Sequence, residues 1–403
     1  MKRRFVGAAL ALAVATLLSG CVLDAERREA GEIADELTDA EFYTLTGDLP
    51  AGQPGDVIRS KVIDSAPAGT RAWRVLYHST DMAGADIAVS GLVIVPDLPA
   101  PKEGRTVVSW AHPTTGSAAK CGPSLTMDPF DLIEGLDNLL AAGYAVVATD
   151  YQGMSLPGPS SYLLGVTEGN NVLDAVRAGR NIKGSGLGTD VLLWGHSQGG
   201  QAALFAAQQA AHYSPELTVE AVAVAAPAAT LTTLLSDDII DVSGVTIASY
   251  AIPAMMAAYA GTYTQEEMGA ILTPAGLEAA PKIAAMCLLS ENAEIHAIAD
   301  PLIGGYITSD PASTEPWKTI LTENSAGGSP LGVPVFVAQG LDDKLVIPAV
   351  TEAYVKGLCD AGEKVQFDRL PGITHALVAL TALPAVLDFF AAVEKDAAPS
   401  NCA

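Results

Sequence analysis

A chain of 403 residues, 49% hydrophobic and 17% charged, can bury the core of one large domain with an insertion, or of two domains; it is not the composition of a disordered protein. Acidic residues outnumber basic ones 46 to 22, for a net charge of -24, and no basic run interrupts them. Phosphate would be repelled, which argues against nucleic acid as a partner. The six histidines are scattered and none shows H-x-x-x-H spacing, so neither a metal nor a cofactor is implied.

The chain begins with a positive cluster, Lys2, Arg3 and Arg4, followed by an apolar run from Phe5 to Leu18. That order marks an export signal, and the run is short for a membrane-spanning helix. It ends in Leu18-Ser19-Gly20-Cys21, which resembles the lipobox of bacterial lipoproteins. The resemblance implies a leader over residues 1–20, an acylated Cys21 as the mature terminus, and attachment to the outer face of the cell membrane. An ordinary signal peptide or a short membrane anchor is the alternative. A polar tether follows over residues 21–40. Export permits disulfides, and setting Cys21 aside leaves Cys121, Cys287, Cys359 and Cys402, enough for two bridges in any of three pairings.

Two β-rich runs, RAWRVLYHSTD (71–81) and ADIAVSGLVIVP (85–96), read as an antiparallel hairpin. From Arg105 strands and helices alternate. RTVVSWAH is a strand, DLIEGLDNLLAAG a helix ending at Gly143, YAVVATD a strand and VLDAVRAGRNI a helix. VLLW is a strand, QGGQAALFAAQQAAHY a helix and TVEAVAVAAPAA a strand. After a gap come PVFVAQG, VTEAYVKGLCDAG, KVQFDRLPG and a final apolar helix, HALVALTALPAVLDFFAAV. Short apolar strands between helices imply an α/β fold with a mostly parallel sheet covered on both faces. The alternation stops over residues 230–332, expected to be a mostly helical cap above the carboxyl ends of the strands. The core would then comprise residues 41–229 and 333–403.

Within VLLWGHSQGG, the residues Gly195-His196-Ser197-Gln198-Gly199 fit G-x-S-x-G, a pattern that puts a serine on a sharp strand-to-helix turn. Composition alone would yield roughly 0.2 such matches, so the context matters. Here a buried strand precedes the turn, and a helix rich in Gly and Ala follows it. A serine hydroxyl needs a general base. Of His78, His112, His196, His212, His296 and His375, only His375 follows the last strand, in LPGITHALVA. His196 lies inside the turn and is expected to point away from the nucleophile as scaffold. The acid that orients the imidazole should follow PVFVAQG, where Asp342 and Asp343 both qualify; the spacing Gly340-x-x-Asp343 favours Asp343. Oxyanion donors would be the amide of Gln198 and one from His112-Pro113-Thr114-Thr115-Gly116. Pro113 has no N–H, so Thr114 or Thr115 must donate.

At these residues the chain resembles the secretory lipases of the α/β-hydrolase superfamily, the group of the fungal lipase A type and its actinobacterial relatives. The similarity runs from about Phe42 to the C-terminus and includes PGDVIRS (54–60), LYHSTD (76–81), LVIVP (92–96), GHSQGG, QGLDDKLV and GITHALV. It implies a Ser197-His375-Asp343 triad, a helical cap that forms an acyl-binding tunnel, and hydrolysis of carboxylic esters including triacylglycerols. It also implies bridges Cys121–Cys287 and Cys359–Cys402. Many relatives carry HGTTG where this chain has HPTTG, which leaves open which threonine donates. The segment VTIASYAIPAMMAAYAG (245–261) is apolar on nearly every face, fit to line an acyl pocket, to form a mobile lid or to be the cap's buried helix. The expected protein is thus an exported, lipid-anchored serine ester hydrolase acting on acyl esters. A serine peptidase on the same fold and a non-catalytic lipid-binding lipoprotein are the alternatives.

Overall fold

The computed structural model describes residues 41–238 and 240–402; the leader, Cys21 and the tether lie outside the described residues. In chain order the strands are β1 (Val57–Val62), β2 (Thr70–Thr80), β3 (Asp86–Pro96), β4 (Arg105–Ala111), β5 (Ala145–Thr149), β6 (Leu187–His196), β7 (Thr218–Ala225), β8 (Val335–Gly340) and β9 (Val365–Leu370). They form one sheet in the order β1-β2-β3-β5-β4-β6-β7-β8-β9. The β1–β2, β2–β3 and β3–β5 pairs are antiparallel. From β5 through β9 every pair is parallel. The 71–81 and 85–96 runs form the expected hairpin, while β1, hidden in PGDVIRS, adds an edge strand that hydropathy does not announce.

Helices cover both faces. On one face lie α1 (Leu136–Ala141) and the last helix; on the other lie α2 (Gly165–Asn181) and α3 (Gln198–Tyr213). Side chains alternate accordingly: Val108, Trp110, Leu192 and Trp194 enter the first core, and Val107, Val191 and Leu193 the second. Burial on both sides explains why β4, β5 and β6 read as continuous apolar runs. The expected helix over 131–143 is shorter than its hydropathy suggests. Gly135 takes φ +89° at its start, and only six residues are helical. Residues 131–135 run as turns, which frees Glu134 for a contact described below.

Between β7 and β8 the chain forms α4 (Leu231–Asp238), α5 (Val242–Ala258), α6 (Gln265–Gly269), α7 (Pro274–Ala284), α8 (Asn292–Ala299) and α9 (Trp317–Glu323). Helix α5 is both core and cavity wall: Ala251 and Met255 are buried, and both also line the cavity beside Ser197. The chain closes with α10 (Pro348–Asp360), a single 3-10 turn at His375–Leu377, and α11 (Val378–Val393). Among the described residues, His375–Val393 is the one helical stretch long and apolar enough to cross a membrane. Its Val378, Ala382, Val386, Phe389 and Phe390 are instead spent on the sheet core.

The disulfides are Cys121–Cys287 and Cys359–Cys402. The second holds the C-terminal tail on the open edge of β9. There the Asn401 N–H donates to Val365 O at 2.9 Å, and the Phe367 N–H donates to Asn401 Oδ1 at 2.8 Å. A covered edge cannot pair with another chain.

Candidate active site

Strand β6 leads into Ser197, whose backbone is forced to φ 56° and ψ -116° before α3 begins at the next residue. A non-glycine residue in that region costs of order 1–3 kcal/mol, and the surroundings hold it there. The Ser197 N–H donates to Ala225 O at 3.0 Å, and Ser197 O accepts from the Ala228 N–H at 3.0 Å. The flanking glycines are required by space. A Cβ on Gly199 would sit 1.9 Å from Ala111 O, and one on Gly195 would sit 2.1 Å from Gly199 O. The turn therefore packs backbone on backbone, with the N-terminus of α3 aimed at the site.

His375 Nε2 lies 2.9 Å from Ser197 Oγ, and His375 Nδ1 lies 2.8 Å from Asp343 Oδ2. Of the six histidines only this one hydrogen-bonds the serine. Asp343 is buried; its Oδ1 accepts from the Leu345 and Val346 N–H groups, both at 2.9 Å, and Gln339 Nε2 donates to Oδ2 at 3.3 Å. Asp342 is exposed, with its N–H bound to Ile373 O, and does not reach the histidine. The Asp343 and His375 loops touch through main chain: a Cβ on Gly340 would meet Ile373 O at 2.4 Å.

His196 is buried, as expected of scaffold, but it stands next to the histidine that faces Ser197. Its ring centroid is 5.0 Å from that of His375, and its Nδ1 is 2.9 Å from Glu134 Oε2. The sequence hides this partner because Glu134 reads as part of a helix.

The two threonines of the 112–116 loop point to different tasks. Thr114 lines the cavity together with Ser197 and Gln198, and its Oγ1 is 2.7 Å from the Tyr162 hydroxyl. Thr115 is turned away: its hydroxyl donates to Cys121 O, and its carbonyl accepts from the Leu288 N–H. It is not among the cavity residues, so the structure separates two positions that the sequence leaves equivalent. Gly116 takes φ +143° and sits against the Cys121–Cys287 bridge, where a Cβ would meet Cys121 Sγ at 2.7 Å. Buried His112 stacks on Tyr151, and its burial lowers its pKa from the ordinary value, keeping it neutral.

The cavity beside Ser197 is apolar. Its core side is Tyr162, Leu163 and Ala228; its other walls come from Leu231, Leu234 and Leu235 of α4, Ile247, Ala251 and Met255 of α5, Leu321 of α9, and the Leu345-Val346 turn. The space open to the centre of a water-sized sphere is about 50 Å³. Among the described residues no group of three or more His, Cys, Asp and Glu is placed to hold a metal ion.

A mostly parallel sheet with its strand-turn-helix elbow, and a serine at the turn beside an apolar cavity, define the class: this is an α/β-hydrolase fold. The chain belongs to the secretory lipase family, whose model matches residues 131–394. It is 25% identical over 371 residues to a secreted triacylglycerol lipase of Malassezia globosa, covering 86% of this chain and 77% of the relative. It is 29% identical over 207 residues to a probable inactive lipase of Mycobacterium tuberculosis, covering 47% of this chain and 45% of that one. The structure of Candida antarctica lipase A in its closed state superposes with a TM-score of 0.71 at 21% identity, covering 91% of this chain and 88% of that one; that likeness concerns the fold. As a member of this family, the protein is an exported serine ester hydrolase.

Proposed function

We propose that the protein is a lipid-anchored carboxylic-ester hydrolase working through Ser197, His375 and Asp343 and an acyl-enzyme intermediate. The observation that carries this is the hydrogen-bonded chain Ser197 Oγ–His375 Nε2 and His375 Nδ1–Asp343 Oδ2, set at the mouth of an apolar cavity. Ser197 Oγ attacks the ester carbonyl while His375 Nε2 takes its proton. Asp343 steadies the resulting imidazolium. The N–H groups of Gln198 and Thr114 receive the oxyanion. His375 then returns the proton to the departing alcohol, and water, activated by the same histidine, frees the acid.

The 230–332 insertion acts as the cap over the acyl chain. Among the described residues that line the cavity none carries a charge to anchor a peptide terminus, which favours esters over peptides. Burial of methylene groups, worth about 0.8 kcal/mol each, supplies the binding energy. Acylation of Cys21 holds the enzyme at the membrane, with residues 21–40 as the tether; two or more chains on one cysteine give stable attachment.

The test uses the full-length protein on ester panels of rising acyl length beside peptide amides. Ser197→Ala and His375→Ala should each lose roughly 10³-fold or more in kcat. Undiminished ester hydrolysis by Ser197→Ala would sink the mechanism. Metabolic labelling with palmitate should mark the wild type and vanish in Cys21→Ser; an unlabelled wild type would remove the anchor.

A further inference from the structure

Glu168 is a carboxylic acid with no accessible surface, on the first turn of α2, and none of the steps above uses it. Its position is built for contact. On either side of it, a Cβ on Gly165 would strike the Phe205 ring at 2.3 Å, and one on Gly169 would come 2.8 Å from Ala206 N. These glycines let α2 and α3 close together, so that Glu168 reaches the residue after Ser197. Gln198 Nε2 donates to Glu168 Oε1 at 2.7 Å, and the Leu163 N–H donates to the same oxygen at 3.2 Å. Leu163 is itself held at φ 57°, a conformation that needs outside support. Its neighbour Tyr162 carries the hydroxyl that meets Thr114 Oγ1. One short segment, Tyr162 to Glu168, thus grips the oxyanion site from both sides.

We propose that Glu168 is a positioning residue for catalysis, setting Gln198 directly and Thr114 through Leu163 and Tyr162. This rests on the assignment of those two residues as oxyanion donors. An acid suits the position because it stays uncharged there. Burial pushes its pKa well above the ordinary carboxylate range, and both groups hydrogen-bonded to it are neutral. The titratable groups that face it are Tyr151 and Tyr162, whose own pKa values burial raises. The sign for stability follows. The unfolded acid ionises near its ordinary pKa and the folded one does not, so stability falls as pH rises from that value toward the folded pKa.

The experiment compares Glu168→Ala, Glu168→Gln and Tyr162→Phe with wild type and Ser197→Ala, in kinetics and in urea unfolding from pH 4 to 9. Misplacement of a donor by about 1 Å costs on the order of a hundredfold. Glu168→Ala should lose tenfold to a hundredfold in kcat on that scale, with KM little changed. Glu168→Gln, the neutral isostere, should restore kcat to near wild type and show a shallower loss of stability with rising pH. Tyr162→Phe should lower kcat with KM unchanged, and it tests the Thr114 branch should Glu168→Ala fail to fold. Wild-type kcat in a folded Glu168→Ala, or a Glu168→Gln as impaired as the alanine variant, would overturn the proposal. If Ser197→Ala is dead in either of those cases, the positioning role alone has failed; an active Ser197→Ala overturns the reading beneath it as well.

Discussion

On one side of Ser197 the Asp343 and His375 loops hold each other by main chain. Leu341 N donates to Leu370 O, Asp342 N to Ile373 O, and Gly340 lies against Ile373 with no room for a side chain. On the other side the 112–116 loop takes its support from the helical insertion. The Cys121–Cys287 bridge, an isolated β-bridge between Gly116 and Cys287, the Leu288 N–H on Thr115 O and Ser117 Oγ on Ala284 O all cross to residues 284–288. The His375 side is thus a product of the sheet, whereas the 112–116 side is shared between the sheet and its covering. Damage to the insertion should reach kcat through the second side and leave the first intact.

The largest expected effect lies on the sheet side. Asp343→Asn should reduce kcat by roughly a thousandfold or more, as loss of the orienting acid does elsewhere. Asp342→Asn, altering an exposed neighbour, should stay close to wild type in steady-state assays. A greater loss at Asp342 would reverse the assignment. The two disulfides separate the sides further. Replacing both Cys121 and Cys287 with serine should cost roughly 2–4 kcal/mol of stability and also lower kcat. Replacing Cys359 and Cys402 should cost stability alone, because that bridge clips the tail far from the loop in sequence and touches neither histidine nor serine. Equal kcat in the two double variants, measured below their unfolding transitions, would break the comparison.

The smallest effect on kcat concerns the scaffold beneath both sides. Asp174 is buried between α2, α3 and β2, accepting from Ser79 Oγ, Tyr213 OH and Arg177 Nη1. Burial outweighs these partners and raises its pKa from 3.8 to about 6. The folded acid therefore holds its proton over a range where the unfolded one releases it. Its contribution to stability is full below pH 3.8 and is lost as pH rises to about 6, by about 3 kcal/mol at 1.36 kcal/mol per unit. Urea unfolding of Asp174→Asn should lack that part of the pH slope while kcat at pH 8 holds. A slope identical to wild type would assign it to other groups.

Much of the His375 side is legible in the sequence because each of its residues follows its own strand. The order Ser197, Asp343, His375 and the spacing from Gly340 are local patterns, and buried strands announce themselves by hydropathy. The helix over 131–143 was overestimated because hydropathy does not register the left-handed Gly135, and with it went the partnership of Glu134 with His196. Thr114 and Thr115 are adjacent and chemically alike; only Tyr162 on one side and Cys121 with Leu288 on the other tell them apart. Glu168 gives no signal at all: the periodicity that reads as a helix begins only at Val172, and nothing local marks an acid upstream of it as buried.

By itself, the sequence determined the alternating α/β architecture, the elbow at Ser197 and the acidic, exported character of the chain. Those follow from periodicity, glycine placement and charge, which act over a few residues at a time. Tertiary structure alone decided which threonine faces the cavity, that α5 is both core and cavity wall, and that a buried acid on α2 grips the residue after Ser197. Each of these depends on which distant segments meet, and a hydrogen bond across some thirty residues of sequence leaves no period in the chain to read.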